Sequence, residues 1–420
     1  MADYVTLPES RVPIVARPDV LVVGGGSAGV AAAVAAARNG SDTLLVERFS
    51  YTGGLATGGM ILLLLTMDDG AGKRAIGGLC QEIVDRMEIR GGVYYPPEHE
   101  WNDPHSKLVE HYRRWGLVWG AGPHRVRYSV AFEPAEFVFA ADRMLAEAKV
   151  RILYQTWACE PLVEDGRITA VIVQNKAGRQ AIAPSVVIDA TGDGDIFAGA
   201  GEPFELERVH PWLWFELGGV DVERAFADAR GLFFRTVGHD RVLVPWGGEA
   251  SVRRKIDATN PTEVSGSLVE CRELVMEEAA RLKSTAPGFE DSYVSLVADQ
   301  LGITESRRLL GRYVMARDDL NQPFEDTIAR TGHWTKYDCT YSIPYRSLLP
   351  AGATNLLVAG RCISVDHRVH HATKEIPPCM ATGQAAGTAA AMAAAKGTSA
   401  ASVDVSALQV KLREQGAILG

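Results

Sequence analysis

The sequence predicts an α/β protein in which a parallel sheet and a β-meander form one unit, with an α+β region inserted into it. Residues 19–47 have the pattern strand, glycine-rich turn, helix and strand. Residues 150–190 alternate β-rich runs with turn signals such as Asp165-Gly166. Residues 340–396 return to strand and helix patterns after a stretch of different character. We therefore expect one discontinuous domain that is built from both ends of the chain.

The domain boundaries follow from these changes in pattern. Residues 1–90, 125–200 and 340–420 are predicted to form the discontinuous domain, and residues 201–339 a substrate or cap domain. Residues 91–124 are rich in aromatic side chains without a clear period, which predicts an irregular insertion. Helices are expected over 75–90, 134–148, 267–284, an arginine-rich segment 303–317, and 378–396.

Composition excludes several classes of protein. The chain has 420 residues, of which 47% are apolar and 23% charged, as is ordinary for a globular protein. The net charge of −9 argues against a nucleic-acid partner. The densest basic cluster, Arg253, Arg254 and Lys255, is interpreted as a solvated helix face. No apolar run has the length of a membrane span, so none is expected.

The six cysteines indicate neither a disulfide framework nor a metal site. They lie at positions 80, 159, 271, 339, 362 and 379, and none forms a CxxC pair. Iron–sulfur clusters and structural zinc are therefore disfavoured, and no metal is predicted. A reducing compartment suits such thiols, so the expected location is cytoplasmic.

A glycine-rich turn and a downstream acid predict a Rossmann-like dinucleotide site. Gly24, Gly26 and Gly29 form G-x-G-x-x-G directly after the first strand. These glycines allow a tight turn, close approach of a pyrophosphate, and helix–strand packing. The helix N-terminus at Ser27 and Ala28 favours phosphate. Glu47 ends the second strand, where its carboxylate suits ribose hydroxyls and disfavours NADP, but it does not separate FAD from NAD.

Five segments, in order along the chain, carry a family resemblance. The chain resembles the FAD-dependent oxidoreductases related to the fumarate-reductase and succinate-dehydrogenase flavoproteins. The segments are VVGGGSAGVAAAVAAARNG with LLVER, TGGLATGG at 52–59, VVIDATGDGDIFAGAGEPFE at 186–205, TNLLVAGRCISVDH at 354–367, and PPCMATGQAAGTAAA at 377–391. The resemblance implies FAD as the cofactor.

The resemblance also implies which residues contact FAD. After the first strand pair these are Arg48, Gly53, Gly54, Leu55, Thr57 and Gly58. The second group is Ala190, Thr191, Gly192, Gly360 and Arg361. Many relatives have Asp after the glycine at 360, and an arginine there is suited to pair with a phosphate. Gly383, Gln384 and Ala385 are expected to open the last helix and to direct N–H groups at the flavin.

Candidate catalytic residues lie close in sequence to the cofactor segments. His367, His370 and His371 fall on a segment expected to be a loop beside the flavin, with His371 the first choice as general base and His370 the second. Arg308 is suited to anchor a carboxylate, or alternatively to form a salt bridge with a neighbouring acid. Tyr345 is expected to line the pocket or to join the domains. The following TKEIPP segment departs from the family pattern.

These features predict a dehydrogenase or oxidase that transfers a hydride from an alcohol, an amine or an activated C–H carbon to flavin N5. Alternatives are a flavin-dependent reductase of an activated alkene such as an unsaturated carboxylate, an NAD-dependent dehydrogenase without flavin, and a flavin-binding RNA-modifying or assembly protein. The expected partner is a small-molecule substrate. The electron acceptor stays open between oxygen, a quinone and a carrier protein, and a homo-oligomer is compatible with the sequence.

Overall fold

The protein is described from a computed structural model over residues 11–227, 231–248, 252 and 254–420. The strands are β1 Ile14–Ala16, β2 Val20–Val23, β3 Thr43–Val46, β4 Leu63–Leu64, β5 Val93–Tyr94, β6 Val130–Phe132, β7 Arg151–Leu153, β8 Trp157–Glu164, β9 Arg167–Asn175, β10 Gly178–Ile182, β11 Val186–Asp189, β12 Phe204–Leu206, β13 Phe215–Gly218, β14 Phe234–Arg235, β15 Arg241–Val244, β16 Tyr293–Val297, β17 Arg307–Leu309, β18 Thr327–Gly332, β19 Thr340–Pro344 and β20 Leu356–Val358. The α-helices are α1 Ser27–Arg38, α2 Gly78–Glu88, α3 Ser106–Arg113, α4 Pro134–Glu147, α5 Asp195–Gly199, α6 Val222–Ala227, α7 Pro261–Thr285, α8 His367–Thr373, α9 Ile376–Lys396 and α10 Val405–Glu414.

A five-stranded parallel sheet forms the centre of the fold, with strand order β20-β11-β2-β3-β7. Every residue of β2, β3, β11 and β20 is buried, as expected for runs of Val, Leu and Ile that are covered on both faces. Strand β20 comes from the last part of the chain and pairs with β11, so both ends of the chain contribute to one sheet.

A second sheet contains the predicted β-meander. Strands β8, β9 and β10 pair antiparallel in succession, and β1 joins β10 in parallel. Together with the parallel sheet, this arrangement confirms the predicted Rossmann-like fold with a β-meander.

Helices α1 and α9 pack against each other at very short distance. A Cβ atom added at Gly383 would lie 2.1 Å from the carbonyl oxygen of Ala28, and one added at Gly387 would lie 2.1 Å from that of Ala32. Only residues without a side chain allow this approach of two backbones. Helix α9 therefore packs directly on α1, the helix that follows the glycine-rich turn.

The inserted region is of the α+β type, as predicted. Its antiparallel sheet has the order β14-β15-β13-β16, and the long helix α7 lies against β16. Helix α7 begins where the Asn260 side chain accepts hydrogen bonds from the N–H groups of Thr262 and Glu263, with Pro261 in its first turn.

Several predicted helices differ from the structure. The helix expected over 303–317 is wrong: this segment contains strand β17, which pairs antiparallel with β12. The strand is short and buries Arg308 and Leu309. In the sequence, its arginines resemble the charged face of a helix, which explains the wrong prediction. The insertion 91–124 is largely irregular but contains helix α3.

The basic cluster was also assigned the wrong structure. Arg254 and Lys255 lie in an irregular segment, where their side chains form ion pairs with Glu270 and Glu207. Arg253 lies outside the described residues. Within the described ranges, no helix combines the length and apolar character that a bilayer span requires.

Candidate functional site

A cavity of about 450 Å³ lies where the carboxyl ends of β2, β3, β11 and β20 meet the start of α1. This volume is in the range of small-molecule sites, and ligands of open α/β sheets bind at this edge. The inserted region contributes the opposite part of the wall through Val264, Leu268, Asp299, Gln300, Leu301, Ile303 and Thr304. The cavity is therefore shared between the parallel-sheet unit and the insertion.

The glycine-rich turn has the shape that a phosphate site requires. Gly24 has φ +97°, and a Cβ there would lie 2.6 Å from the Ala190 carbonyl oxygen. A Cβ at Gly29 would lie 1.8 Å from the Gly24 carbonyl oxygen, so this position also excludes side chains. By contrast, a Cβ at Gly26 would meet no atom within 4 Å and would enter the open cavity. The position of Gly26 is therefore open to the diphosphate that the sequence predicts there.

The N-terminus of α1 has no side chain that caps its first N–H groups. The N–H groups of the first turn have no partner within a helix, and they carry the positive end of its dipole. Gly26, Ser27 and Ala28 of this turn line the cavity. The helix start is therefore available to an anionic ligand.

Glu47 connects the second strand to the glycine-rich turn. Its side chain is buried, with the residue only 6% exposed. Oε2 accepts a hydrogen bond from the N–H of Gly25 at 2.5 Å, and Oε1 accepts one from Phe49 at 2.8 Å. Each carboxylate oxygen has further lone pairs, so Glu47 in the cavity wall can still accept from ribose hydroxyls. The next residue, Arg48, also lines the cavity.

Some residues of the TGGLATGG segment at 52–59 line the cavity, and others do not. Gly53, Gly54 and Leu55 line the cavity, and the N–H of Gly53 donates to the Gly25 carbonyl oxygen at 2.9 Å. Thr57 and Gly58 lie outside the lining. The Thr57 hydroxyl donates to the Thr52 carbonyl oxygen at 2.6 Å, while Gly58 packs against the Tyr51 hydroxyl.

Arg361 provides the test of whether this site fits a dinucleotide phosphate. Its Nε donates to the Gly192 carbonyl oxygen at 3.0 Å, and its Nη2 pairs with Asp193 at 2.6 Å. The third nitrogen, Nη1, is buried and has no hydrogen-bond partner among the described residues, although Arg361 lines the cavity. A buried guanidinium nitrogen of this kind normally has an acceptor, and a phosphate oxygen would supply one.

The other residues implied around this turn lie beside Arg361. Ala190, Thr191 and Gly192 line the cavity. Gly360 lies behind the wall, where a Cβ would be 2.7 Å from the Ala28 side chain. The N–H of Gly360 donates to the Thr382 hydroxyl at 3.1 Å. Gly360 therefore sets the distance between two elements of the wall.

The expectation that Gly383, Gln384 and Ala385 open the last helix is wrong. Helix α9 begins at Ile376 because Pro377 and Pro378 are tolerated in a first turn, so the three residues lie beyond its second turn. Their N–H groups belong to the helix interior. Gly383 contacts the backbone of Ala28, the Gln384 side chain accepts from the N–H of Leu79 at 2.9 Å, and Ala385 is buried. The cavity is lined by Ile376 and Cys379 instead.

None of the five predicted catalytic residues is part of the cavity lining. The three histidines lie on helix α8 rather than on a loop. His367 Nδ1 is 2.9 Å from Glu305, and His370 Nε2 is 3.1 Å from the Arg361 carbonyl oxygen. Burial lowers the pKa of His370 well below its usual range. His371 packs against the rings of His333 and Trp334.

Arg308 and Tyr345 are buried and have partners in the protein. Arg308 forms ion pairs with Glu305 and Glu205, which corresponds to the salt-bridge alternative. The Tyr345 hydroxyl donates to the Ala400 carbonyl oxygen at 2.7 Å, next to the C-terminal helices. A catalytic role of these two residues and of the three histidines stays a prediction.

The structure adds an ionisable pair to the cavity that the sequence did not assign to the site. Lys374 and Glu375 both line it, with side chains that are 17% and 12% exposed, and Lys374 Nζ lies 3.5 Å from Glu375 Oε1. Burial raises the pKa of Glu375, and Lys374 opposes this shift. The sequence signal for this pair is the TKEIPP segment, because its two prolines mark the start of α9.

Comparison with solved structures finds distant likenesses. A geranylgeranyl bacteriochlorophyll reductase-like protein from Thermoplasma acidophilum is 15% identical with a TM-score of 0.48, over 95% of this chain and 83% of that one. The p-nitrophenol 4-monooxygenase from Pseudomonas putida is 13% identical with a TM-score of 0.47, over 95% and 81%. The L-proline dehydrogenase from P. horikoshii is 14% identical with a TM-score of 0.43, over 97% and 100%.

Comparison with curated protein sequences finds no match. A family model described as FAD dependent oxidoreductase matches residues 19–412, which includes every segment of the cavity described above. The chain therefore belongs to the FAD-dependent oxidoreductase family and is an oxidoreductase with FAD as its cofactor.

Proposed function

We propose that the protein is a dehydrogenase or oxidase that removes a hydride from an alcohol, an amine or an activated C–H carbon of a small organic substrate. One observation carries this proposal: the part of the cavity wall that the insertion contributes is made of apolar and uncharged polar residues, among them Leu268, Leu301 and Gln300, with Asp299 as its single charged residue. A mostly apolar wall with a few polar groups is typical of sites for small organic molecules.

FAD, when bound, supplies the acceptor for the two electrons of such an oxidation. In this proposal the α1 N-terminus and Gly26 hold its diphosphate. Glu47 accepts hydrogen bonds from a ribose, and Arg361 Nη1 donates to a phosphate oxygen. The residues of the insertion orient the substrate and exclude water from the cavity.

The charges of the cavity favour oxidation over reduction of an unsaturated carboxylate. Three cations occur in the described lining, and each has a carboxylate neighbour: Arg48 and Arg361 have Asp193 at 3.9 and 2.6 Å, and Lys374 has Glu375 at 3.5 Å. Arg48 and Arg361 share Asp193, but the lining as a whole has five carboxylates against three cations: Glu47, Asp193, Asp195, Asp299 and Glu375. A carboxylate substrate would add a further negative charge to this excess. The alkene reductase is therefore the second candidate, and the closer relation to fumarate-reductase and succinate-dehydrogenase flavoproteins is part of that candidate.

The location and the electron acceptor are proposed on less direct grounds. All six cysteines are free thiols, which supports a reducing compartment such as the cytoplasm. For the electron acceptor we propose a small molecule, such as oxygen or a quinone, which could enter the same cavity as the substrate.

An anaerobic substrate screen tests the proposed function. The FAD-loaded protein is mixed with a panel of alcohols and amines, and loss of the oxidised flavin absorbance is followed without oxygen. In parallel, the chemically reduced protein is mixed with fumarate and similar unsaturated carboxylates. Bleaching in the first experiment supports the proposal. Reoxidation by the carboxylates, without bleaching by any alcohol or amine, overturns it in favour of the alkene reductase.

A further inference from the structure

The Lys374–Glu375 pair occupies the junction between α8 and α9. Lys374 follows the last residue of α8, and Glu375 is the residue that precedes the first turn of α9. The Glu375 side chain makes no capping bond to this helix, which leaves its carboxylate to face Lys374 and the cavity. A buried carboxyl that does not cap its helix has no evident structural role there.

The start of α9 is poor in hydrogen-bond donors. Pro377 and Pro378 have no N–H group, and the N–H of Cys379 donates to the Glu375 carbonyl oxygen at 3.0 Å. Of the first four residues of the helix, only Ile376 retains an N–H that is not used in this way. A helix start that would otherwise offset negative charge in the cavity has lost most of its donors.

We propose that Glu375 is the group that takes up a proton when FAD in this cavity is reduced, with Lys374 as its fixed counter-charge. In the oxidised protein a carboxylate faces the ammonium group. Reduction adds negative charge to the cavity, and protonation of the carboxylate removes one negative charge again. Burial already raises the pKa of Glu375, which is the direction that favours this protonation.

The step balances in either redox setting. When a substrate alcohol is oxidised, its C–H hydride carries both electrons to FAD, and its O–H proton forms the new O–H bond on Glu375. When a chemical reductant supplies the electrons, a buffer acid supplies the proton. The proposal rests on the proposed function for FAD in this cavity, and it adds that the reacting end of FAD lies at the start of α9.

Other ionisable groups face the same space. Cys379 lies one turn along α9, and burial raises its pKa to about 12, which keeps it a neutral thiol. The remaining charged residues of the lining are Glu47, Arg48, Asp193, Asp195, Asp299 and Arg361. Among these, burial also raises the pKa of Asp195, which is however paired with Arg307 at 2.9 Å.

The experiment measures the midpoint potential of bound FAD from pH 5 to pH 9, by slow enzymatic reduction against reference dyes and without any substrate. Wild type is compared with Glu375→Gln. Each tenfold change in proton concentration shifts a two-electron couple by about 30 mV for every proton taken up. Wild type is expected to have a slope steeper by about 30 mV per pH unit over a limited window. The two curves should coincide at acid pH, and wild type should lie lower at alkaline pH.

Glu414→Gln is the control, because Glu414 is exposed on α10 and outside the cavity lining. Its curve is expected to follow that of wild type. Parallel curves for wild type and Glu375→Gln across the whole range would overturn the proposal. A substrate screen without a positive result does not affect this measurement, since the titration needs only bound FAD, so the two proposals fail separately.

Lys374→Met provides a second variant if Glu375→Gln does not retain FAD after gel filtration. Loss of the ammonium group removes the positive charge that lowers the pKa of Glu375. The steep window is therefore expected to move to higher pH, and the midpoint potential to fall. A window that stays at its wild-type position in Lys374→Met contradicts the proposed pairing.

Discussion

The parallel-sheet unit and the inserted regions differ in the kind of packing that stabilises each of them. In the first, α1 and α9 meet through glycine and alanine, so that backbone lies against backbone at Gly383 and Gly387. In the second, large rings pack edge to face: Trp119 of the insertion 91–124 contacts Trp246 and Trp334 of the α+β insertion, with ring centroids at 5.5 and 5.6 Å. The first packing is specified by the absence of side chains and tolerates no addition, whereas the second is specified by ring shape and can readjust.

Gly29→Ala breaks the first kind of packing and should have the largest effect. The added Cβ would overlap the Gly24 carbonyl oxygen at 1.8 Å, so we expect a loss of about 4 kcal/mol or more in the free energy of unfolding. Urea denaturation followed by circular dichroism measures this loss. Gly40→Ala is the control: Gly40 lies in the turn after α1, with φ +91°, but a Cβ there would meet no atom within 4 Å, so the change should cost only about 1–2 kcal/mol of backbone strain. Equal losses in both variants would contradict the argument.

Each of the two regions contains buried histidines that should make it sensitive to acid, and His333 is the one in the insertion. His333 is only 4% exposed, and burial, together with nearby Lys336, lowers its pKa to about 4. The unfolded chain has a histidine pKa of about 6.5, so between these values it binds more protons than the folded chain, and stability falls as the pH falls. We expect His333 to account for a loss of up to about 3 kcal/mol between pH 7 and pH 4. Urea midpoints at several pH values should fall less steeply in His333→Gln; an unchanged slope would contradict this.

Gly26→Val separates binding from folding within the parallel-sheet unit. A Cβ at this position would meet no atom within 4 Å, on the side of the cavity and at an ordinary φ of −64°. The free energy of unfolding without cofactor should stay within about 1 kcal/mol of wild type. The dissociation constant for FAD, from titration of the apoprotein, should rise about 100-fold, equivalent to ~2.7 kcal/mol. Retained FAD affinity would place the diphosphate elsewhere.

Trp119→Leu should have the smallest effect, because the aromatic cluster can repack around a smaller apolar side chain. We expect a loss of about 1–2 kcal/mol in the free energy of unfolding, from lost ring contacts and lost apolar area. Differential scanning calorimetry of the apoprotein measures it. A loss as large as that of Gly29→Ala would remove the distinction between the two kinds of packing.

The sequence predicted best those elements whose reasons are local. The pattern from β2 through the glycine-rich turn to Glu47 can be explained locally. A side chain at Gly24 or Gly29 would overlap backbone a few residues away or on the neighbouring strand, and Gly26 leaves the cavity open. The start of α9 could also have been found, since prolines at 377 and 378 mark a first turn. Asp366 likewise caps α8 by accepting from the N–H of Val369 at 2.7 Å, a signal for a helix where a loop was expected.

Other features depend on contacts between distant parts of the chain. Lys374 and Glu375 reach the cavity because α9 packs on α1, some 350 residues away in sequence. The arginine-rich segment becomes a strand because β12 offers it a partner about a hundred residues earlier. Hydrophobic periodicity within a segment carries no information on either contact.

The pairing of β20 with β11 has a consequence for folding during synthesis on the ribosome. Until Leu356–Val358 and α9 have been synthesised, the unit that receives FAD lacks an outer strand and the helix that covers α1. The apolar edge of β11 is then exposed and open to pairing with other chains. Capture of the cofactor must therefore be a late event in biogenesis, and a chain interrupted before residue 356 should be aggregation-prone and colourless.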